Sequence, residues 1–577
     1  MQHQPDLENK LKVVLCWHMH QPHYRDGEDG VYQLPWVYLH ALKDYTDMVW
    51  HLEKEPNAKA VVNFAPVLLE QLDEYQQQIH QWLSDGTVMS DPLLNWVSGA
   101  ESIPDDIEER VKIAEACQKA NAATIINIFP AFREMVDLLN DSKLLDDHSH
   151  TLMGYLTEQF FVDLLVWYHL AWMGISLRQD DSRIQTLMSK KRAFDEEDRR
   201  LLMLIIAEAV GGIIPRYKAL QDSGQIEISM TPYGHPIVPL LLDFQSLHEA
   251  MPHAPMPSYD QYPGGLERAH WHMKKGIQVT EHYFGKKPKG VWLSEGAVSD
   301  AAIDFLDQYD IAWSASGEGV WRHSCEKSHI DQHDLNSKRA LYRPMRPTGN
   351  KCSLFFRDDG LSDLIGFQYK DWRAEDAVND FANHLTNIAN FVCKDGEQHV
   401  VSVILDGENA WEYYPDNAYH FLMALYSKLS DHPRVELSTF SEVLQQGVKP
   451  RDLPSIQAGS WVYGSFSTWM GEPDKNKGWD LLVEAKQAYD KKVADGDMTA
   501  VQQKQATEQL AICEGSDWFW WFGGYNPSDS VRDFDHLYRS HLRKLYQLLS
   551  LESPSSLDQP ISFGGGEMEN SGTMRRN

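Results

Sequence analysis

Two short apolar runs each end in an acid followed at once by glycine. Gly290-Val291-Trp292-Leu293-Ser294 leads into Glu295 and Gly296, and Val400-Val401-Ser402-Val403-Ile404-Leu405 leads into Asp406 and Gly407-Glu408-Asn409. Both runs read as buried strands, so each delivers a carboxyl group at its C-terminal end. In parallel α/β barrels that end carries the catalytic groups, because the loops that follow it are free to vary. Two carboxylates can act as nucleophile and general acid on a glycosidic bond, and their separation selects retention or inversion. Either acid alone reads equally well as a helix N-cap. Together, with tryptophans nearby, they favour chemistry.

Histidines stand at two other strand ends. Lys12–Trp17 runs into His18-Met19-His20-Gln21-Pro22, and strand alternation puts His18 and His20 on one side. Two imidazoles there can bind a metal or a polar ligand, or be satisfied structural groups. The run Gly224–Ser229 is followed by Met230-Thr231-Pro232-Tyr233-Gly234-His235-Pro236, where flanking prolines stiffen a loop that presents His235. Alone, that loop reads as a structural turn. The chain has 19 Trp and 24 Tyr, many of them beside polar motifs: Trp17, Trp292, Trp411 with Tyr413 and Tyr414, Trp461, Trp469 and Trp518–Trp521. Flat rings suit the C–H faces of a pyranose while acids, imidazoles and amides take its hydroxyls. Most of these tryptophans belong in a core. Glu514–Trp521 is harder to dismiss, because Asp517 ends an apolar helix amid aromatics that make an unpaired charge costly.

The elements that position these groups follow from short β-branched runs. They are Lys12–Trp17, Ala60–Phe64, Ile226–Ser229, Gly290–Leu293, Ile311–Ser314, Ser353–Phe356, Val400–Leu405 and Val435–Leu437. Near-continuous apolar runs of this length fit strands covered on both faces, and helical patterns such as Ala301–Tyr309 and Ala377–Val392 fall between them. Such alternation predicts an α/β fold with a closed barrel. The expected organisation is a discontinuous barrel over 1–104 and 223–448, a helical insertion over 105–222, and a C-terminal helical region over 449–552 that contributes to the site. A disordered tail is expected over 553–577, which is rich in Ser, Gly, Pro and Asn. The segment Asp195–Arg200 reads as a helix start with acids at the positive dipole end.

Composition narrows the function. A formal charge of −31 over 577 residues argues against nucleic acid and anionic membranes, which favour basic surfaces. Met1–Lys10 carries no secretory signal pattern, and Leu201–Ile214, with Glu208 inside it, is too short to span a bilayer. Six scattered cysteines without a CxxC pair read as reduced thiols, hence a cytoplasmic location.

Five of these segments, in order, resemble glycoside hydrolase family 57: His18–Pro22, Gly224–Pro236, Val291–Glu295, Leu405–Asn409 and Glu514–Trp521. The strings Asp163–Trp172 and Phe356–Phe367 are also similar to the family, and the likeness runs from about Lys12 to Leu545. The resemblance implies a distorted (β/α)7 barrel and a retaining mechanism on α-1,4-glucans or maltooligosaccharides. It makes Glu295 the nucleophile and Asp406 the general acid/base. His18, His20, His235 and Asp517 would line the subsite at the scissile bond, with Trp292, Trp411 and Trp518 as aromatic contacts. No metal or cofactor is implied. The activity expected is of the α-amylase type; a 4-α-glucanotransferase or branching enzyme would use the same two acids. More distant alternatives are a metal-dependent hydrolase such as a deacetylase, with His18, His20 and an aspartate as ligands, and a non-catalytic glucan-binding protein. Gly234 stands where the family often has an aromatic residue, and the oligomeric state is left open.

Overall fold

A computed structural model of the chain describes residues 10–143, 153–567 and 573–574. Its strands are β1 (Leu11–Met19), β2 (Ala60–Phe64), β3 (Ile226–Met230), β4 (Trp313–Ser316), β5 (Met345–Pro347), β6 (Ser353–Phe356), β7 (Val400–Asp406), β8 (Val435–Leu437) and β9 (Arg451–Leu453). β1 and β2 are buried along their whole length, as mostly apolar strands are when helices cover one face and the barrel interior the other. Parallel pairing joins β7 to β1, β1 to β2 and β2 to β3. Single parallel bridges then carry the ring onward, from Met230 to Val291 and from Gly290 to Trp313 of β4. β4 pairs in parallel with β6, and Arg357, just past β6, bridges Ser402 of β7. Seven parallel segments therefore close on themselves.

The distortion has a local cause. β8 pairs with Leu11–Val13 at the start of β1, while β2 pairs with Cys16–Met19 further along. Since β7 already holds Lys12–His18 on one edge of β1, β8 and β2 must share the other. In the same way β5 meets β6 at Leu354 before Arg357 reaches β7. Both wedges enter at the N-terminal ends, so the strands converge at their C-terminal ends.

Between β2 and β3 the chain is helical, including Ile107–Ala116, Pro130–Lys143, Glu158–Trp172 and Glu196–Asp222. The last of these opens on a capping box of Asp195 and Asp198, the acid-rich start expected there. Within the expected insertion the helices are interrupted, because Asn121 accepts from Ala123 N and Thr124 N and restarts the chain as a short π turn; residues 144–152 lie outside the described residues. After β9 come the helices Pro473–Asp495, Ala500–Cys513, Asp517–Trp521 and Ser528–Leu548. The expectation of a disordered tail from 553 does not hold over 553–567. There Asp535 accepts from Ile561 N at 2.7 Å, Ser562 Oγ accepts from Gly523 N at 2.9 Å, and Leu557 and Ile561 are buried. Low apolar periodicity hid a segment pinned by backbone donors; residues 568–572 and 575–577 lie outside the description. None of the described helices is long and apolar enough to cross a membrane.

Candidate active site

The register of the barrel builds one row of polar side chains. His18 is the pairing partner of Asp406 on one side and of Asn63 on the other, and Asn63 is in turn the partner of Ser229. Residues in register on parallel neighbours share a face. Four adjacent strands thus present Asp406, His18, Asn63 and Ser229 at one level near the C-terminal end.

Glu295 enters from the bridge segment after Leu293. Its backbone is left-handed, φ 60° and ψ 22°, a conformation that costs a non-glycine residue about 1–3 kcal/mol. The turn is tied from outside: Trp461 N donates to the Glu295 carbonyl at 3.0 Å, and Trp461 Nε1 donates to Glu295 Oε2 at 3.0 Å. Ser516 Oγ lies 3.3 Å from Oε1, and His235 Nδ1 lies 3.8 Å from it. Asp406 takes a hydrogen bond from Asn409 Nδ2 at 3.0 Å.

Both acids line one cleft of about 490 Å³, together with His18, His20, Trp461 and Asp517. Burial, then the charges of Asp406 and Asp517, push the Glu295 carboxyl up to about 8 against the donors on it. Burial pushes Asp406 up to about 6, partly offset by Asn409, His20 and Arg357. Burial therefore raises both carboxyl groups above their ordinary range, Glu295 the further of the two.

Three imidazoles crowd the same end. The His20 and His235 rings stack at 3.8 Å, and His235 Nε2 is 3.2 Å from His18 Nε2. His20, His235 and Asp517 each offer a metal-ligand atom within 4.8 Å of the others. Most of the atoms they offer already serve one another or their neighbours, His20 Nδ1 excepted. His20 Nε2 donates to Asp517 Oδ1 at 2.7 Å, and the two nitrogens of His235 face Ser516 and His18. Nearly parallel rings, 15° apart, also aim their in-plane lone pairs side by side and not at a common point. The cluster is a hydrogen-bonded set.

The segment carrying Ser516 and Asp517 is anchored from behind by Glu514. Burial alone would raise its carboxyl, yet Arg268 and His272 outweigh that and hold it near 2. Arg268 Nη2 and His272 Nε2 each donate to Oε2 at 2.7 Å, and Tyr262 OH donates to Oε1. Gly234 is explained by the same packing. A Cβ there would run into the Ala511 carbonyl oxygen and lie 3.0 Å from His272 Cε1, so the helix Ala500–Cys513 occupies the space an aromatic side chain would need.

Glu295, Asp406, His18, His20 and Asp517 reach the cleft wall together, with His235 stacked behind His20. Three predicted aromatic contacts do not reach the wall. Trp411 is buried with Nε1 on the Gly407 carbonyl, Trp518 with Nε1 on the Ile512 carbonyl, and Trp292 packs against Trp461. Trp36, Trp172, Trp461, Trp520 and Trp521 line the cleft instead. Trp518, the contact implied by the resemblance, faces inward on its helix toward Tyr538 and His541. Sequence reasoning also misses Ser516, Asn63 and Glu408. An asparagine inside the apolar run Ala60–Phe64 is the signal that could have found Asn63. Glu408, pushed well above its ordinary range by burial and then by Asp406, accepts from Gln21 Nε2 and His20 N. The segment between β2 and β3 reaches the cleft as well, through Lys119 and Asn121 of a connection and Trp172 at the end of a helix.

Comparison with known proteins gives a coherent picture. Residues 14–457 match the model of Glycosyl hydrolase family 57. No curated protein matches the chain by sequence. Among solved structures, a branching enzyme of this type from Pyrococcus horikoshii is 17% identical, with 97% of this chain and 98% of that chain covered at a TM-score of 0.55. The α-amylase AmyC from Thermotoga maritima is 14% identical over 94% and 93% of the two chains, TM-score 0.55. A 4-α-glucanotransferase from Thermococcus litoralis is 13% identical over 93% and 60%, TM-score 0.50. Likeness at this identity establishes a shared fold.

Proposed function

The chain belongs to Glycosyl hydrolase family 57, and from that membership we propose that it is a retaining enzyme on α-1,4-glucans, with α-amylase-type hydrolysis as its reaction. Glu295 attacks the anomeric carbon while Asp406 protonates the glycosidic oxygen, giving a covalent glycosyl-enzyme. Asp406 then acts as base on the incoming acceptor. The observation that carries this reading is the carboxyl pair in one cleft, both members raised by burial. A retaining pair needs one acid and one base at the same time. His18, His20 and Asp517 on the wall are suited to sugar hydroxyls, and Trp461, Trp520 and Trp521 to sugar faces. His235, behind His20, fixes that ring.

The solved neighbours include a branching enzyme and a 4-α-glucanotransferase, whose reactions differ from hydrolysis in the acceptor alone. The test is therefore product analysis with a linear maltooligosaccharide, comparing wild type with Glu295→Gln. Shorter sugars of retained anomeric form, made at least about 10³-fold more slowly by the variant, are the expected result. Products longer than the input would make the enzyme a transferase. Undiminished turnover by Glu295→Gln would remove the nucleophile assignment.

A further inference from the structure

The cleft that holds Glu295 and Asp406 continues past its own wall. Leu34, Lys119, Asp529 and Asp533 line both that cleft and a second cavity of about 530 Å³. Both run along the helix Ser528–Leu548. Asp529 and Asp533, one turn apart, form the ridge between them; Ser530 and Phe534 line the cleft, and Arg532, His536 and Arg539 the second cavity. Lys119 and Asp533 meet at this border at 2.8 Å, with side chains 40% and 25% exposed. An ion pair so exposed contributes little and gives way to a ligand at small cost. Another part of the wall, Pro560, Ser562 and Phe563, comes from the segment after 553. Ile561 N and Ser562 N donate to Asp535 Oδ1 at 2.7 and 3.3 Å, which holds both residues buried and leaves the next ring, Phe563, 72% exposed.

The chemistry of this wall selects against an ion. Each base in it already faces a carboxylate: Lys119 with Asp533, Arg532 with Asp529 at 2.9 Å, Arg539 with Asp535 at 2.8 Å and His536 with Asp26 at 3.3 Å. With charge cancelled, the cavity offers hydrogen-bonding groups, Gln33 and Ser528 among them, beside one exposed aromatic face. That combination fits a neutral polyol, whose hydroxyls need polar edges and whose C–H faces need a ring. We propose that the second cavity binds the outer part of an α-glucan chain whose reacting bond lies at Glu295 and Asp406, with Phe563 as the platform for one sugar ring. The inference rests on α-glucans being the substrate, and it makes a long chain the preferred form.

A length series from maltotriose to maltodecaose tests it. In wild type kcat/KM should keep rising for chains too long for the cleft alone. Phe563→Ala should lower the ratio of kcat/KM for maltodecaose over maltotriose by about 3- to 10-fold, the size of one aromatic contact. Phe563→Trp, which keeps a flat ring, should preserve the ratio. An unchanged ratio in Phe563→Ala would overturn the proposal. A crystal of Glu295→Gln grown with maltodecaose gives a second readout independent of turnover. A sugar ring over Phe563 is expected there, and a chain confined to the catalytic cleft overturns the assignment. If wild type turns over no glucan while sugar still occupies the second cavity, the functional reading fails and the binding site stands.

Discussion

Glu295 carries two costs at once, a left-handed backbone and a carboxyl group held in a buried, like-charged setting. The second has a pH signature. In the folded protein its proton is retained up to about pH 8, whereas unfolding returns it to 4.5. Below 4.5 both states are protonated and nothing is lost. As pH rises from 4.5 to 8 the unfolded chain alone gives up the proton, so stability falls. Glu295→Gln cannot ionise and escapes this loss. Its melting temperature should pull away from wild type as pH goes from 5 to 8, by up to a few kcal/mol in stability. A gap that stays constant or narrows would show that Glu295 ionises freely. At this scale the acids and histidines are legible in sequence, since each ends a buried run or a stiff loop. Ser516 is not, and Asn63 shows only as a polar residue inside an apolar run; the role of each comes from a helix position and a strand register that only pairing reveals.

Elements carry the next level of constraint, and the contact between Gly234 and the helix Ala500–Cys513 shows it best. With the Ala511 carbonyl against its Cα, Gly234→Ala should cost about 1–3 kcal/mol in denaturant unfolding, the range for overpacking a tight site. An unchanged midpoint would mean that the helix can retreat. Glu514 locks the same helix end. Glu514→Gln breaks a buried charge set with Arg268 and His272 and should cost about 3–5 kcal/mol. Because its folded carboxyl is held near 2, that stabilisation is present above pH 4.5 and is lost as pH falls toward 2. Loss of the same few kcal/mol in Glu514→Gln at pH 7 and pH 2.5 would contradict the pairing. Most strands can be read from the sequence to within two residues, because they are near-continuous apolar runs. β5 and β9 cannot, being three-residue segments such as Arg451–Leu453 with no apolar run to mark them. The Gly290–Leu293 run forms only bridges, since its glycine lies under the Trp313 ring.

Across the whole molecule, the site is assembled from parts far apart in the chain. The barrel strands bring Asp406 and the row beside it, while residues after β9 bring Trp461 and Ser516 to Glu295 and Asp517 to His20. The contribution of that region can be expected from the aromatic run at Trp518–Trp521. Its depth of integration cannot, because the Arg268–Glu514 pair joins positions 246 residues apart. A separately folding C-terminal region would give up the Arg268–Glu514 and His272–Glu514 bonds and expose the apolar surface packed around them. Calorimetric unfolding should therefore give a single cooperative transition, with van't Hoff and calorimetric enthalpies in agreement. Turnover and tryptophan fluorescence should be lost together along it, since Trp461 and Ser516 leave Glu295 only when the barrel opens. Two resolved transitions, with Asp406 and Glu295 still structured after the first, would mean that the barrel holds its own carboxyl pair and that the C-terminal helices merely cover it.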